Sequence, residues 1–298
     1  MSMKRRLRRA LRAVVTWPPL NRVVTGALRA ALPERIRHRP ALARFLPRVG
    51  LVEMPLPGGR VLRMSSRGDD DIASELFWRG WECHEPETTS VFYELAVSAR
   101  VVLDVGAHVG YFALLAAHAN PRASVYAFEP MPRVRARLEH NIALNRSTVS
   151  CQPFALGAAP GSAEFFHTRN GIPSSSSLAE GFMRSIVEHG ELTSSTVEVL
   201  TGDDFVESRA LAGVDLVKID TETTEAAVLE GLLRTLRRDR PHIVCEVLDS
   251  DVGAAIEALL EPLGYEFFAL TASGPARREH IRPDVRWRNF LFAPGPRD

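Results

Sequence analysis

The sequence predicts an α/β fold: a mostly parallel sheet with helices on both faces, an antiparallel last strand, and a basic helical arm ahead of it. Three observations carry that expectation. Short apolar runs alternate with helix-length segments from residue 86 onward. One run, Val101–Val105, ends in the glycine turn Gly106-Ala107-His108-Val109-Gly110 and leads into a helical pattern. The final run, Asn289–Phe292, has no helix before it, so it enters the sheet antiparallel.

The elements divide the chain into a basic arm (1–50), a strand-rich lead-in (51–85) and a main domain (86–298). In the arm, Leu7, Leu11, Val14 and Val15 share one helical face. A second period after Pro18-Pro19 runs through Leu20, Val23, Val24, Ala27, Leu28 and Leu32. The lead-in turns at Pro57-Gly58-Gly59 and at Gly68-Asp69-Asp70. The residues from Glu85 to Thr89 then open a helix reaching about Ala99. Strands at 101–105, 124–128 and 149–153 alternate with helices at 109–119 and 131–144. Strands at 214–219, 242–247 and 265–270 alternate with helices at 222–237 and 251–261. Between the two series, around 160–200, Ala163–Phe166 and Thr196–Leu200 read as paired strands flanking a long Gly/Ser loop. Such a loop suits a functional lid, with a structureless serine tract as the alternative.

Charge is distributed unevenly. Residues 1–50 hold thirteen Lys or Arg and one acid, Glu34, a formal +12; the rest therefore carries −11 of the chain's net +1. An acidic main domain argues against nucleic acid as its substrate. The arm suits contact with an anionic membrane or a partner, or packing on the acidic remainder of the same chain. No apolar run reaches the ~20 residues of a transmembrane helix, and Pro18-Pro19 interrupts any signal-peptide core, so the expected location is cytoplasmic, with the membrane periphery open through the arm. Cys83, Cys151 and Cys245 are too far apart for a C-x-x-C pair and fit a reducing compartment.

The chemistry concentrates at the predicted strand ends, where open α/β sheets bind ligands. Asp104, Glu129, Asp220 and Glu246 each follow a strand. Glu129 lies about 20 residues past the glycine turn, placed to grip two ribose hydroxyls. His108 replaces the middle glycine of a dinucleotide-binding G-x-G-x-x-G, which disfavours a pyrophosphate and hence a nicotinamide cofactor. Asp104 suits a ligand with a cationic end, such as the amino group and sulfonium of S-adenosylmethionine.

Beyond these residues, LDVGAHVGYF, YAFEP with NIALN downstream, FALG at Phe154–Gly157, VDLVKID followed by EAAVLEG, PHIVCEV and RNFLFAP form a connected set from about Gly80 to Pro294. In this set the sequence resembles the FkbM-family S-adenosylmethionine-dependent methyltransferases. The resemblance implies the Rossmann-like class I methyltransferase sandwich and O-methylation of a small hydroxylated metabolite or glycan, with no metal assigned. By position it puts Asp104, Gly106 and Gly110 around the methionine part of the cofactor, with Ala107 among the binding residues. It puts Glu129 on the ribose and Ala155 near the adenine. One departure stands out. The family usually has K-I-D-V-E-G-A-E, and here Thr223-Thr224 replaces Gly-Ala within Lys218–Glu225.

An acceptor hydroxyl is a poor nucleophile until it loses its proton. Asp220 and Glu222 are the candidate bases, with His108 third. A divalent ion held by the acids is the open alternative. Lys218, one of two lysines in the chain, reads equally as a structural ion pair or a catalytic group. The competing function is a non-catalytic S-adenosylmethionine-fold module anchored to a membrane or partner by its arm.

Overall fold

The structure is a computed structural model that describes residues 17–169, 172, 176–187 and 191–296. The first amphipathic period of the arm lies outside the described residues. The chain forms two compact units, residues 1–85 and 86–298.

In the first unit, α1 (Pro18–Ala31), α2 (Glu34–Arg37) and α3 (Pro40–Phe45) precede a hairpin of β1 (Val49–Pro55) and β2 (Val61–Arg67). The hairpin turns through Pro57–Gly59, where Gly58 takes φ +74°. Alternation buries Val52, Met54, Leu62 and Met64. Helix α4 (Asp71–Arg79) packs on both strands and starts at Asp70, whose carboxylate accepts the Ala73 N–H at 2.9 Å.

The second unit begins with α5 (Pro86–Ser98), β3 (Val101–Val105), α6 (Tyr111–Ala119), β4 (Ser124–Phe128), α7 (Pro132–Asn145) and β5 (Ser150–Gln152). An insertion follows: β6 (Ala155–Leu156), β7 (Gly161–Thr168), α8 (Glu180–Ile186) and β8 (Leu192–Leu200). The chain then runs through α9 (Gly202–Ser208), β9 (Leu216–Ile219), α10 (Glu225–Glu230), α11 (Leu233–Asp239), β10 (His242–Glu246), α12 (Ser250–Leu260), β11 (Tyr265–Thr271), β12 (Gly274–Arg278) and β13 (Asn289–Pro294).

The main sheet has the order β12-β11-β13-β10-β9-β3-β4-β5. From β5 to β10 it is parallel, and β13 lies antiparallel between β10 and β11, as the missing helix before it requires. The order reverses direction at β3 and β9, so the cleft for a ligand lies beyond their carboxyl ends. Leu103, Val105, Val217, Ile219, Ile243 and Cys245 join Val228, Leu229 and Ile256 in one buried core, while α5 and α6 cover the opposite face. The result is the three-layer class I methyltransferase architecture.

Three details differ from the sequence expectation. The helix expected over 222–237 begins only at Glu225, because Glu222 and Thr223 are left-handed. It also breaks at Gly231, where an added Cβ would sit 2.1 Å from the Gly157 carbonyl oxygen. The short polar edge strand β12 carries no apolar period and is built by its hairpin with β11. In the insertion, β7 and β8 pair antiparallel as expected, with Ala163 opposite Val197, but α8 occupies part of the segment between them.

Candidate active site

The turn after β3 is shaped by steric necessity. Gly106 has φ +80°, and a Cβ there would meet the Asp220 carbonyl oxygen at 1.9 Å. The β3 and β9 ends are locked together beside it, the Asp220 N–H donating to the Val105 carbonyl at 2.9 Å. Gly106 is therefore required by the approach of the neighbouring strand's backbone, a reason its sequence context does not reveal. Gly110, at φ +92°, starts α6 and leaves room for Leu138 of α7. The Gly106 and Ala107 N–H groups both donate to Phe128 O, at 3.2 and 3.0 Å.

Glu129, at the end of β4, is 4% exposed. One carboxylate oxygen accepts the His108 N–H at 3.1 Å and the other the Met131 N–H at 2.9 Å. Burial pushes its pKa up to about 8, against the pull of those two N–H donors and of Arg135. Two of its roughly four acceptor positions remain for ligand hydroxyls, so the group fits a ribose diol. Asp104 is likewise buried, beside Lys218 in the β3–β9 register. Ala155 is buried on β6 next to Phe154, whose ring centroid lies 5.8 Å from that of Phe128 at the end of β4.

The second set of acids gathers beyond β9 and β10. Carboxylate oxygens of Asp220, Glu222 and Glu246 all lie within 4.8 Å of one another, an arrangement that can hold a proton or a divalent ion. Lys218 is fully buried. Its ammonium contacts Asp220 Oδ2 at 3.3 Å and sits 4.9 Å from the centre of the Phe112 ring.

The turn carrying these acids is unusual. Glu222 (φ +57°) and Thr223 (φ +83°) are left-handed without being glycine, a strained state for a β-branched residue. Glu225 opposes the strain: its Oε1 accepts the N–H groups of Thr221 and Thr223, at 3.1 and 3.0 Å, and the Thr221 hydroxyl at 3.1 Å. Its Oε2 is buried with no hydrogen-bond partner among the described residues. Burial, then the nearby Asp220 charge, raises the Glu225 pKa. From the insertion, the buried Ser177 Oγ donates to the Glu222 carbonyl at 2.6 Å, while Ser177 exchanges two backbone hydrogen bonds with Phe166 of β7. The insertion thus holds the acid-bearing turn.

Asp220 and Glu222 come together, and Glu246 joins them. His108 is not part of that cluster, and its backbone N–H donates to Glu129. Ser177 escapes a sequence reading because its bond runs to a distant backbone carbonyl, while Glu225, legible as an acid in the first turn of its helix, is found to brace the turn before it. The one available signal was Thr223 itself, a non-glycine where the left-handed turn needs support.

Residues 104–267 match the family model described as "Methyltransferase FkbM domain". The chain is 31% identical over 245 residues to the AMB antimetabolite synthetase AmbE of Pseudomonas aeruginosa, covering 66% of this chain and 11% of that protein. It is 28% identical over 164 residues to the hexuronic acid methyltransferase AglP of Haloferax volcanii, 55% of this chain and 63% of that protein. It is 28% identical over 196 residues to the 31-O-demethyl-FK506 methyltransferase FkbM of Streptomyces tacrolimicus, 59% and 75% respectively. The chain thus spans about a tenth of the first relative and under two thirds of the second.

Proposed function

The chain belongs to the methyltransferase FkbM domain family, and we propose that it methylates a hydroxyl oxygen of a small metabolite or glycan. The cofactor is S-adenosylmethionine, which when bound supplies a methyl carbon already activated by its sulfonium. The observation that carries the proposal is the pairing of two acid sites across β3 and β9: a buried carboxylate at the end of β4 and the Asp220–Glu222–Glu246 cluster beyond β9 and β10.

In this reading Glu129 accepts the two ribose hydroxyls, each bond worth about 1.5–3 kcal/mol when the carboxyl is ionised. Asp104, Gly106, Ala107 and Gly110 line the methionine end, and Ala155 lies by the adenine. Asp220 or Glu222 takes the proton of the acceptor hydroxyl as its oxygen attacks, an effect of about 10²–10⁴-fold. Lys218 offsets the charge gathered there. The same three carboxylates are the donors for a divalent ion if the reaction uses one to acidify the hydroxyl. A sugar or polyhydroxylated acceptor fits the relatives, two of which are named for a hexuronic acid and for 31-O-demethyl-FK506.

The test is single-turnover transfer of labelled methyl from S-adenosylmethionine to a panel of hydroxylated metabolites and glycans, with and without chelator. Product bearing the label on oxygen is the expected outcome. Label on nitrogen or carbon overturns the O-methylation reading. Tight cofactor binding with no turnover on any acceptor favours a non-catalytic module.

A further inference from the structure

Helix α1 is built inside out. The residues it buries are polar, Asn21 and Thr25, at 1% and 0% exposure. Asn21 donates to the Pro47 carbonyl at 2.8 Å and accepts the Val49 N–H at 2.7 Å, while the Thr25 hydroxyl accepts from Arg48 at 2.7 Å. Arg29 and Arg48 lie over the Phe77 ring, 4.8 and 4.6 Å from its centre. The polar edge of the helix therefore holds it to its own unit. The apolar stripe is left outside: Trp17 at 61% exposure, Leu20 at 38%, Val23 at 70% and Val24 at 37%. At 100° per residue these four, with the exposed Ala27, fall within about a third of the helix circumference.

We propose that this face seats in the interface of an anionic lipid bilayer. Charge selects the occupant: residues 1–50 carry thirteen Lys or Arg against one acid, and Arg22, Arg35 and Arg39 are exposed in the same unit as the stripe. Each basic residue near an anionic surface contributes about 1 kcal/mol, and buried Val and Leu side chains add about 1.5–3 kcal/mol each. A tryptophan at the start of the helix suits the headgroup level. A protein partner is the poorer match. A stripe on a 14-residue helix, about 21 Å by 10 Å, falls well short of the ~800 Å² per partner of a stable protein interface. Among the described residues no helix is long and apolar enough to cross a membrane, so the helix would lie in the plane of the surface.

The experiment is sedimentation of the full chain with phosphatidylcholine vesicles, with and without about a third phosphatidylserine, at low and high salt. Binding to the anionic vesicles alone, weakened by salt, is expected. Leu20→Glu/Val23→Glu is expected to lower the partition at least ~10-fold while leaving the melting temperature and cofactor affinity unchanged. Equal binding to both vesicles, or retention by the double variant, overturns the proposal. So does loss of binding on deleting residues 1–16 when the double variant still binds, since the anchor would then lie upstream. A concentration-dependent dimer abolished by the double variant, with no vesicle binding, would assign the face to a second copy. None of these outcomes depends on turnover, so the anchor and the methyl-transfer reading fail separately.

Discussion

The turns after β3 and β9 lie side by side in the sheet, and both use left-handed backbone, but they reach it by different means. After β3, Gly106 and Gly110 take positive φ angles where the neighbouring atoms crowd a Cβ, with His108 at φ +51° between them. After β9, Glu222 and Thr223 take them, and the turn is held by the carboxylate of Glu225 and the hydroxyl of Ser177. The first turn is encoded where it stands. The second is imposed by a carboxylate two and four residues from the N–H groups it binds and by a hydroxyl forty-five residues from its carbonyl. The glycines of the first turn let its backbone close against its neighbours, whereas the second turn presents Glu222 at the price of strain in Thr223. That contrast suits a cofactor side built by backbone and an acceptor side built by side chains.

The strongest way to sharpen the contrast is on the acceptor side. Asp220→Asn and Glu222→Gln are expected to lower kcat and kcat/KM together by about 10²–10⁴-fold, roughly 2.7–5.5 kcal/mol of barrier, while the S-adenosylmethionine Kd moves little. Single-turnover rates near wild type in both variants would remove these acids from the chemistry. Sensitivity to chelator would make them metal ligands.

Gly106→Ala is expected to be the most disruptive change on the cofactor side. Overpacking against the Asp220 carbonyl and a left-handed alanine together cost about 2–5 kcal/mol. Thermal melting reads this directly, and a variant melting with the wild type would mean the two turns do not meet as described.

Glu129→Gln is expected to weaken S-adenosylmethionine binding at least ~10-fold by calorimetry above pH 8, where the wild-type carboxyl is ionised and its bonds are charge-assisted. It also separates function from stability. With a folded pKa of about 8, above the ordinary value of 4.5, protonated Glu129 favours the fold; this contribution is complete below pH 4.5 and is lost as pH rises through 8. Melting of the cofactor-free chain from pH 5 to pH 9 is therefore expected to fall more steeply for wild type than for Glu129→Gln. Parallel profiles would contradict the burial of this charge.

The smallest effects test the strained turn. Ser177→Ala is expected to cost about 1 kcal/mol and to slow turnover more than it weakens cofactor binding. Thr223→Gly relieves a left-handed β-branched residue and is expected to stabilise the Ser177→Ala variant more than the wild type. Strict additivity of the two changes would mean that the insertion does not support the turn.

The parallel strands from β3 to β10 were legible because each is an apolar run bounded by turn residues, and short-range patterning is enough to define a buried strand. The antiparallel β13 was legible from a missing helix. The break at Gly231 was not, because its cause is the Gly157 carbonyl, brought there by the insertion. The small edge strand β12 was not, because its ladder with β11 needs no apolar period.

Among site residues, acids at strand ends could be named from sequence, since the chain must bring successive parallel strands out at one edge. Their grouping could not, and it is tertiary structure that selects Glu246 as the neighbour of Asp220 and Glu222. By itself the sequence determined the alternation of strand and helix, the glycine turn and the basic arm, all properties of residues adjacent along the chain. Tertiary structure decided that α1 buries Asn21 and Thr25 and leaves its valines outside, and that Ser177 holds the turn of Glu222. Apolar periodicity specifies that a helix has two faces, but the hydrogen-bond partners that settle which face turns inward come from distant parts of the fold.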